Sequence, residues 1–223
     1  MSTEVVALVI ALSGATLTLI LARSLGLDSL SWGTRLALWA VAGAALLVLA
    51  VDRGSLVATM GSIGLAEPGR RSLLWGLAGA IGLMATGGAV LAIQRLLGVS
   101  AGDQDTFARV AALPLAHRLF IILTAAVVEE ILFRGVPLTV GPPILGGLAP
   151  AAIMAVAAFV LAHFRWKPIH LIQVAVAGAG LCVLFVLSGG DLWACIVAHL
   201  IIDAVGFLMV PMILRLKGKT AIG

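Results

Sequence analysis

The stretch at residues 119–134 reads LFIILTAAVVEEILFR and places three ionisable side chains, Glu129, Glu130 and Arg134, within an apolar run. A charge at the middle of a membrane-spanning helix is disfavoured by about 2.5 to 3.5 kcal/mol on insertion scales. Three such charges therefore need partners, water or a function at that depth. Ionisable side chains inside a membrane indicate a functional site by default.

The composition of the whole chain is that of a membrane protein. Of its 223 residues, 62% are hydrophobic and 11% are charged, and the mean hydropathy is +1.20. A soluble globular domain of this length is much less apolar. We therefore predict an all-α fold, a polytopic transmembrane bundle of about 7–8 helices that encloses a cavity within the membrane.

Seven apolar segments have about the length needed to cross a bilayer. These segments are 4–22, 36–51, 73–94, 118–137, 149–164, 170–188 and 191–214. An eighth pass would arise if the Pro- and Gly-rich stretch 137–150 entered the membrane. It would also arise if the segment 55–65, which resembles an interfacial helix, entered more deeply.

The distribution of Lys and Arg predicts the orientation of the chain. With the amino terminus outside, most basic residues, Arg35 and Arg109 among them, fall in cytoplasmic loops or the carboxy-terminal tail. We therefore expect an integral protein of the cell membrane with a cytoplasmic tail. These topology-setting residues account for the net charge of +4, so no nucleic-acid partner is expected. Cys182 and Cys195 form no CxxC motif and are expected to be small buried side chains.

Spacing gives different roles to the three charges of the fourth predicted span. Residues four apart share a helix face, so Glu130 and Arg134 can pair, with the acid toward the amino end. Glu129 lies about 100° around the helix from Glu130 and lacks that cation. Different surroundings can make one of two like groups a base and the other a structural ion. The alternative is that all three charges form an ion cluster that holds helices together.

Two further apolar segments carry polar side chains. His163 lies near the end of the fifth span, four residues after Phe159, and His199 shares a helix face with Asp203 in the seventh span. Singly, each histidine would more often donate a hydrogen bond between helices than act in catalysis. Together with the acids of the fourth span, they form a constellation that a purely structural role does not require.

This order of motifs, EExxxR, then FxxxH, then HxxxN/D, resembles the signature of the CPBP family of intramembrane endopeptidases. That family includes the type II CAAX prenyl proteases and the bacteriocin-processing and self-immunity proteins, also called the Abi family. The matching residues are Glu129, Glu130 and Arg134, then Phe159 and His163, then His199 and Asp203. The resemblance covers roughly residues 60 to 210. We therefore predict amino-terminal transmembrane helices at 1–55, a CPBP-like catalytic core at 56–214 and a basic tail at 215–223, all within one compact membrane domain.

The resemblance implies hydrolysis of a peptide bond in a membrane-associated substrate, such as a prenylated protein or a peptide precursor. Water would be held between Glu129 and His163, with Glu129 as the general base, and His199 would face the oxyanion. Arg134 would hold Glu130. Many relatives carry Asn where this chain has Asp203. An ionised aspartate can only accept a hydrogen bond, so Asp203 would orient His199.

A metal is the open question in this interpretation. Glu129, His163 and His199 could supply three ligands of a zinc site with an open fourth position, and family members are often labelled metalloproteases. The HExxH helix of many zinc proteases is absent from the sequence. We therefore favour a glutamate mechanism without a cofactor.

Two other classes of function stay open. In a proton-coupled transporter the same acids and histidines would form a proton relay. Transporters often contain inverted repeats, and here the charged motifs fall only in the second half of the chain. A non-catalytic immunity or scaffold protein could also keep the fold of this family.

The simple seven-helix layout conflicts with the predicted site in one respect. Glu129 and His199 fall in the outer halves of their spans, whereas His163 falls toward the inner end of its own. At 1.5 Å per residue this leaves a vertical gap on the order of 10 Å. The Pro- and Gly-rich stretch 137–150 could resolve this conflict by remaining at membrane depth as an irregular connection, which would shift the next helix.

Overall fold

The structure, a computed structural model, describes residues 1–98, 109–164 and 168–209, which contain helices and no strand. In the amino-terminal part, α1 (Thr3–Ser24) and α2 (Trp32–Arg53) pack as a pair. The short α3 (Leu56–Ser62) and the long α4 (Arg70–Leu96) follow. The side chains of Ser2, Ser31 and Ser55 each accept a hydrogen bond from the first turn of the next helix, which explains where α1, α2 and α3 begin.

From residue 115 onward, the described part of the chain contains one long composite helix and three further helices. The composite helix consists of α5, two successive π-helical turns and α6. Its segments are α5 (Leu115–Thr124), the π turns Ala125–Glu129 and Ile131–Gly135, and α6 (Val136–Leu145). The remaining elements are α7 (Leu148–Ala162), α8 (Pro168–Leu187), α9 (Leu192–Ala204) and a third π turn, Val205–Met209.

The described helices confirm the prediction of an all-α polytopic membrane protein. Five helical segments are long and apolar enough to cross a bilayer: Thr3–Ser24, Trp32–Arg53, Arg70–Leu96, Ile169–Leu187 and Leu192–Met209. Helix α7 is apolar but shorter. Large apolar side chains on the outer surfaces, among them Leu17, Ile81 and Ile153, are more than half exposed. Such a surface fits lipid rather than water. The last residues of the seventh predicted span and the tail at 215–223 lie outside the described residues.

The stretch 137–150 is not an irregular connection, because most of it is helical. The composite helix continues to Leu145, with Pro142 and Pro143 inside α6, and only Gly146 and Gly147 turn the chain into α7. Both glycines have positive φ, +84° and +141°, a region that disfavours side chains. Prolines are tolerated within membrane helices where neighbouring groups satisfy the freed backbone.

This tight turn also removes the expected difference in depth between Glu129 and His163. Helices α6 and α7 leave the turn together and pack against each other. Nearly equal numbers of residues separate Glu129 from the end of α6 at Leu145 and His163 from the start of α7 at Leu148. At the same rise per residue the two side chains reach similar levels. The predicted difference in depth resulted from the predicted end of the fourth span at residue 137, whereas the helix continues to Leu145.

The start of α9 is held against the segment that follows α3 through a close backbone contact at Gly64. The carbonyl oxygen of Gly64 accepts a hydrogen bond from the Leu192 amide at 3.0 Å. Gly64 has φ +89°, and a Cβ atom there would overlap the carbonyl oxygen of Gly190. Only glycine fits this position, which sets the level at which α9 begins.

We predict that Gly64→Ala lowers the stability of the protein. The left-handed backbone alone would cost about 1 to 3 kcal/mol, and the collision with Gly190 adds to it. Thermal unfolding in detergent should show a lower midpoint. The matched control is Gly61→Ala in α3, where a Cβ would meet nothing within 4 Å and the midpoint should stay equal or rise. Equal losses in both variants would contradict this explanation.

Candidate active site

Glu130 and Arg134 form a fully buried ion pair at the centre of the bundle. Arg134 Nη1 donates to Glu130 Oε1 at 2.8 Å, as the spacing of the two residues predicts. Arg134 Nη2 donates to the carbonyl oxygen of Gly178 in α8 at 3.3 Å. The guanidinium carbon also lies 4.5 Å from the ring centroid of Phe159 in α7. One arginine therefore connects the composite helix with both α7 and α8.

His199 contacts the same oxygen of Glu130 from the opposite side. Its Nδ1 lies 2.6 Å from Glu130 Oε1, and its Nε2 lies 3.7 Å from Asp203 Oδ2, one turn along α9. The sequence interpretation assigned the orientation of His199 to Asp203 alone. The structure places Glu130 as the closer partner, a contact between two helices that no local spacing indicates.

The EExxxR motif lies on the two π-helical turns, Ala125–Glu129 and Ile131–Gly135. Each π turn widens the helix and changes the direction of the side chains that follow, and such turns are frequent at functional sites. The sequence prediction assumed the regular α-helical rotation of 100° per residue and so did not include these π turns. The sequence signal for these π turns is the weak α-helix propensity of Val127, Val128 and Gly135.

A cavity of about 330 Å³ lies beside this ion pair. Glu129, His163, His199 and Asp203 all line it, together with Phe133, which shares the face of Glu129. Glu130 and Arg134 are not among the lining residues and are fully buried behind it. The two adjacent glutamates therefore have different surroundings, one at the cavity wall and one in an ion pair.

The orientation of the His163 ring follows from its contact with the backbone. His163 Nδ1 lies 2.8 Å from the carbonyl oxygen of Phe159, and the two rings meet edge to face with centroids 4.7 Å apart. A carbonyl oxygen only accepts, so Nδ1 is the donor in this hydrogen bond. The acceptor of the neutral imidazole is then Nε2. The FxxxH spacing thus provides both the backbone and the aromatic partner of His163.

The amino-terminal helices complete the wall of the cavity. Residues of α1, α2 and the loop between them line it: Ala15, Leu19, Ser29, Leu30, Arg35 and Leu38. The sequence interpretation counted Arg35 only among the basic residues that set topology. No local pattern could have placed it in the cavity, because its position depends on how α2 packs against the composite helix.

The three possible zinc ligands, Glu129, His163 and His199, all line the cavity. Within residues 1–98, 109–164 and 168–209, no three His, Cys, Asp or Glu side chains are arranged to hold a metal ion. His199 is already engaged by the buried Glu130 through Nδ1. This contact occupies Nδ1 only, and a carboxylate on one ring nitrogen is also how proteins orient histidines that bind a metal through the other. Cys182 and Cys195 are both buried and unbridged, as predicted.

The fold and the cavity define a polytopic helical membrane protein with acids and histidines enclosed between its helices. Residues 111–205, less than half of the chain, match the family model described as type II CAAX prenyl endopeptidase Rce1-like. This match contains all three motifs and confirms the predicted relationship to the CAAX protease family. No curated protein and no solved structure matches the chain. At the level of the family, the match supports protease activity in an integral membrane protein.

We predict that Arg134→Gln destabilises the fold far more than Glu129→Gln. Removing one partner of a buried ion pair costs about 3–5 kcal/mol, because the other charge is left without compensation. Glu129 lines the cavity, so its neutral isostere leaves no buried ion unpaired. Chemical denaturation in detergent measures both. Similar losses in the two variants would favour the alternative in which all three charges hold the helices together.

Proposed function

We propose that this protein is an intramembrane endopeptidase in which Glu129 activates water to hydrolyse a peptide bond of a membrane-associated substrate. The observation that carries this proposal is the shared cavity of Glu129, His163, His199 and Asp203. The match of residues 111–205 to the type II CAAX prenyl endopeptidase family supports the reaction class. Prenylated proteins or peptide precursors, which partition into membranes, are the substrates we propose.

The reaction needs one water molecule and one side chain that carries a proton. Glu129 removes a proton from the water, and the oxygen of this water attacks the carbonyl carbon of the peptide. In the tetrahedral intermediate the carbonyl oxygen carries the negative charge. Glu129 then returns the proton to the nitrogen as the carbon–nitrogen bond breaks, which releases a carboxyl end and an amine. Proton transfer of this kind contributes about 10² to 10⁴ in rate.

The two histidines would have separate tasks. His163 donates to the Phe159 carbonyl through Nδ1, so its Nε2 can accept a hydrogen bond from the water. His199 contacts Glu130 through Nδ1, so a protonated Nε2 would be its donor toward the oxyanion. A positioned oxyanion donor is worth about 2.7–4 kcal/mol. Glu130 and Asp203, on either side of the His199 ring, would balance the positive charge that this task requires.

We predict that Glu129→Gln and His163→Ala strongly reduce cleavage without loss of folding. A suitable probe is a farnesylated peptide with a carboxy-terminal CAAX sequence and a fluorophore and quencher on either side of the scissile bond. In liposomes, kcat for Glu129→Gln should fall about 10² to 10⁴-fold, because glutamine cannot accept the proton. Glu67→Gln, at an exposed acid outside the cavity, is the control and should keep full activity.

Three other results would count against this proposal. Full activity of Glu129→Gln would exclude that residue as the base. Tight binding of the probe by the wild-type protein, without cleavage, would favour a scaffold or immunity protein. A proton-dependent flux across the liposome membrane that needs Glu129 would favour a carrier.

We also predict that cleavage does not depend on a divalent metal. Glu129 and the two histidines act here as proton carrier and hydrogen-bond partners, so dialysis against a strong chelator should leave kcat unchanged. Metal analysis of the dialysed protein is the control that the chelator has acted. Loss of activity that is restored by added zinc would contradict the glutamate mechanism.

A further inference from the structure

Arg35 lies at the wall of the cavity, and its side chain has no hydrogen-bond or ion-pair partner among the described residues. It lies in the first turns of α2 and lines the same cavity as Glu129 and His163. Its Nε is buried and has no hydrogen-bond partner, and its guanidinium forms no ion pair with any residue that the structure describes. Arg35 as a whole is only partly buried, but a buried N–H donor without an acceptor is costly. Such a group indicates a ligand that supplies the acceptors.

The charges around Arg35 come from three separate elements. The acids that act on its guanidinium, strongest first, are Glu129 on the first π turn, Asp203 on α9 and Asp28 in the loop after α1. Asp28 already accepts two hydrogen bonds from Arg109 Nη2, at 2.7 and 2.8 Å, and Arg109 also lines the cavity. None of the three acids lies within ion-pair distance of Arg35. These acids partly offset the cost of burying the guanidinium, and none of them accepts a hydrogen bond from it.

The chemistry of the cavity identifies the missing acceptor. Guanidinium binds a carboxylate through two parallel hydrogen bonds, a stronger and more specific contact than it makes with a neutral carbonyl. A cavity of about 330 Å³ is at the small end of the range for ligand pockets and accommodates a short segment of peptide beside Glu129. A peptide that ends within this space places its terminal carboxylate there, whatever its side chains are.

We infer that Arg35 binds the carboxy-terminal carboxylate of the peptide substrate and so positions a bond near the end of the chain at Glu129. This inference rests on the proposed proteolytic function. It assigns a specificity-determining role to a residue outside the segment that matches the family, which begins at residue 111. It also gives α2 a direct role in the site and not only in the packing of the bundle.

The test compares the farnesylated probe with a free terminal carboxylate against the same probe with a terminal amide. The wild-type protein should cleave the acid with a kcat/KM about 10-fold or more above that of the amide, as expected for one charge-assisted pair. In Arg35→Gln this preference should disappear, mainly through a higher KM for the acid. The thermal midpoint in detergent should stay near the wild-type value, which shows that the variant is folded. Arg35→Lys should restore part of the preference, because lysine keeps the charge but not the fork.

Arg23→Gln is the matched control, since it removes an exposed arginine near the end of α1 and should keep the full acid preference. Equal cleavage of acid and amide by the wild-type protein would overturn the inference while leaving the protease intact. A preference that persists in Arg35→Gln would also overturn it. Failure of the wild-type protein to cleave either probe would count against the proposed function itself.

Discussion

The buried carboxylate of Glu130 is the constraint on which the rest of this structure depends. One of its oxygens contacts both Arg134, on the same helix, and His199, on α9. A charge in the apolar interior is tolerated only with partners close by, so the composite helix and α9 cannot slide past each other without a penalty of several kcal/mol. Arg134 extends the same requirement to α8 through Gly178 and to α7 through Phe159.

This ion pair leaves the neighbouring acid facing the cavity. Glu129 and Glu130 are adjacent in sequence, yet one lines a polar cavity and the other is sealed behind it. Two π turns on either side of Glu130 give the backbone this change of direction. The structural acid also holds His199 at the cavity wall, so the interaction that stabilises the bundle and the one that positions a site residue are the same. Proteins often separate two like carboxyl groups into different roles through their surroundings.

The amino-terminal helices give the cavity a second side. The segment that matches the CAAX protease family supplies the acids and histidines, and α1 and α2 add apolar side chains together with Arg35. Enzymes with the same reacting groups can differ in substrate when other elements form the rest of the cavity wall. Arg35 forms no ion pair with the described residues and lines the cavity, which suits it to contact with a bound ligand.

The sequence by itself determined the class of fold and the contacts within single helices. Apolar runs and their charges predict a helical membrane protein, and helical periodicity places Glu130 beside Arg134 and His199 near Asp203. These pairs depend only on the rise and turn of one helix. Tertiary structure decided the rest: the contact of Glu130 with His199, the presence of Arg35 in the cavity, and the common level of Glu129 and His163. Each of these features depends on where helices end and how they pack. The end of α6 at Leu145 could not be predicted locally, because prolines within a sequence usually indicate that a helix has already ended.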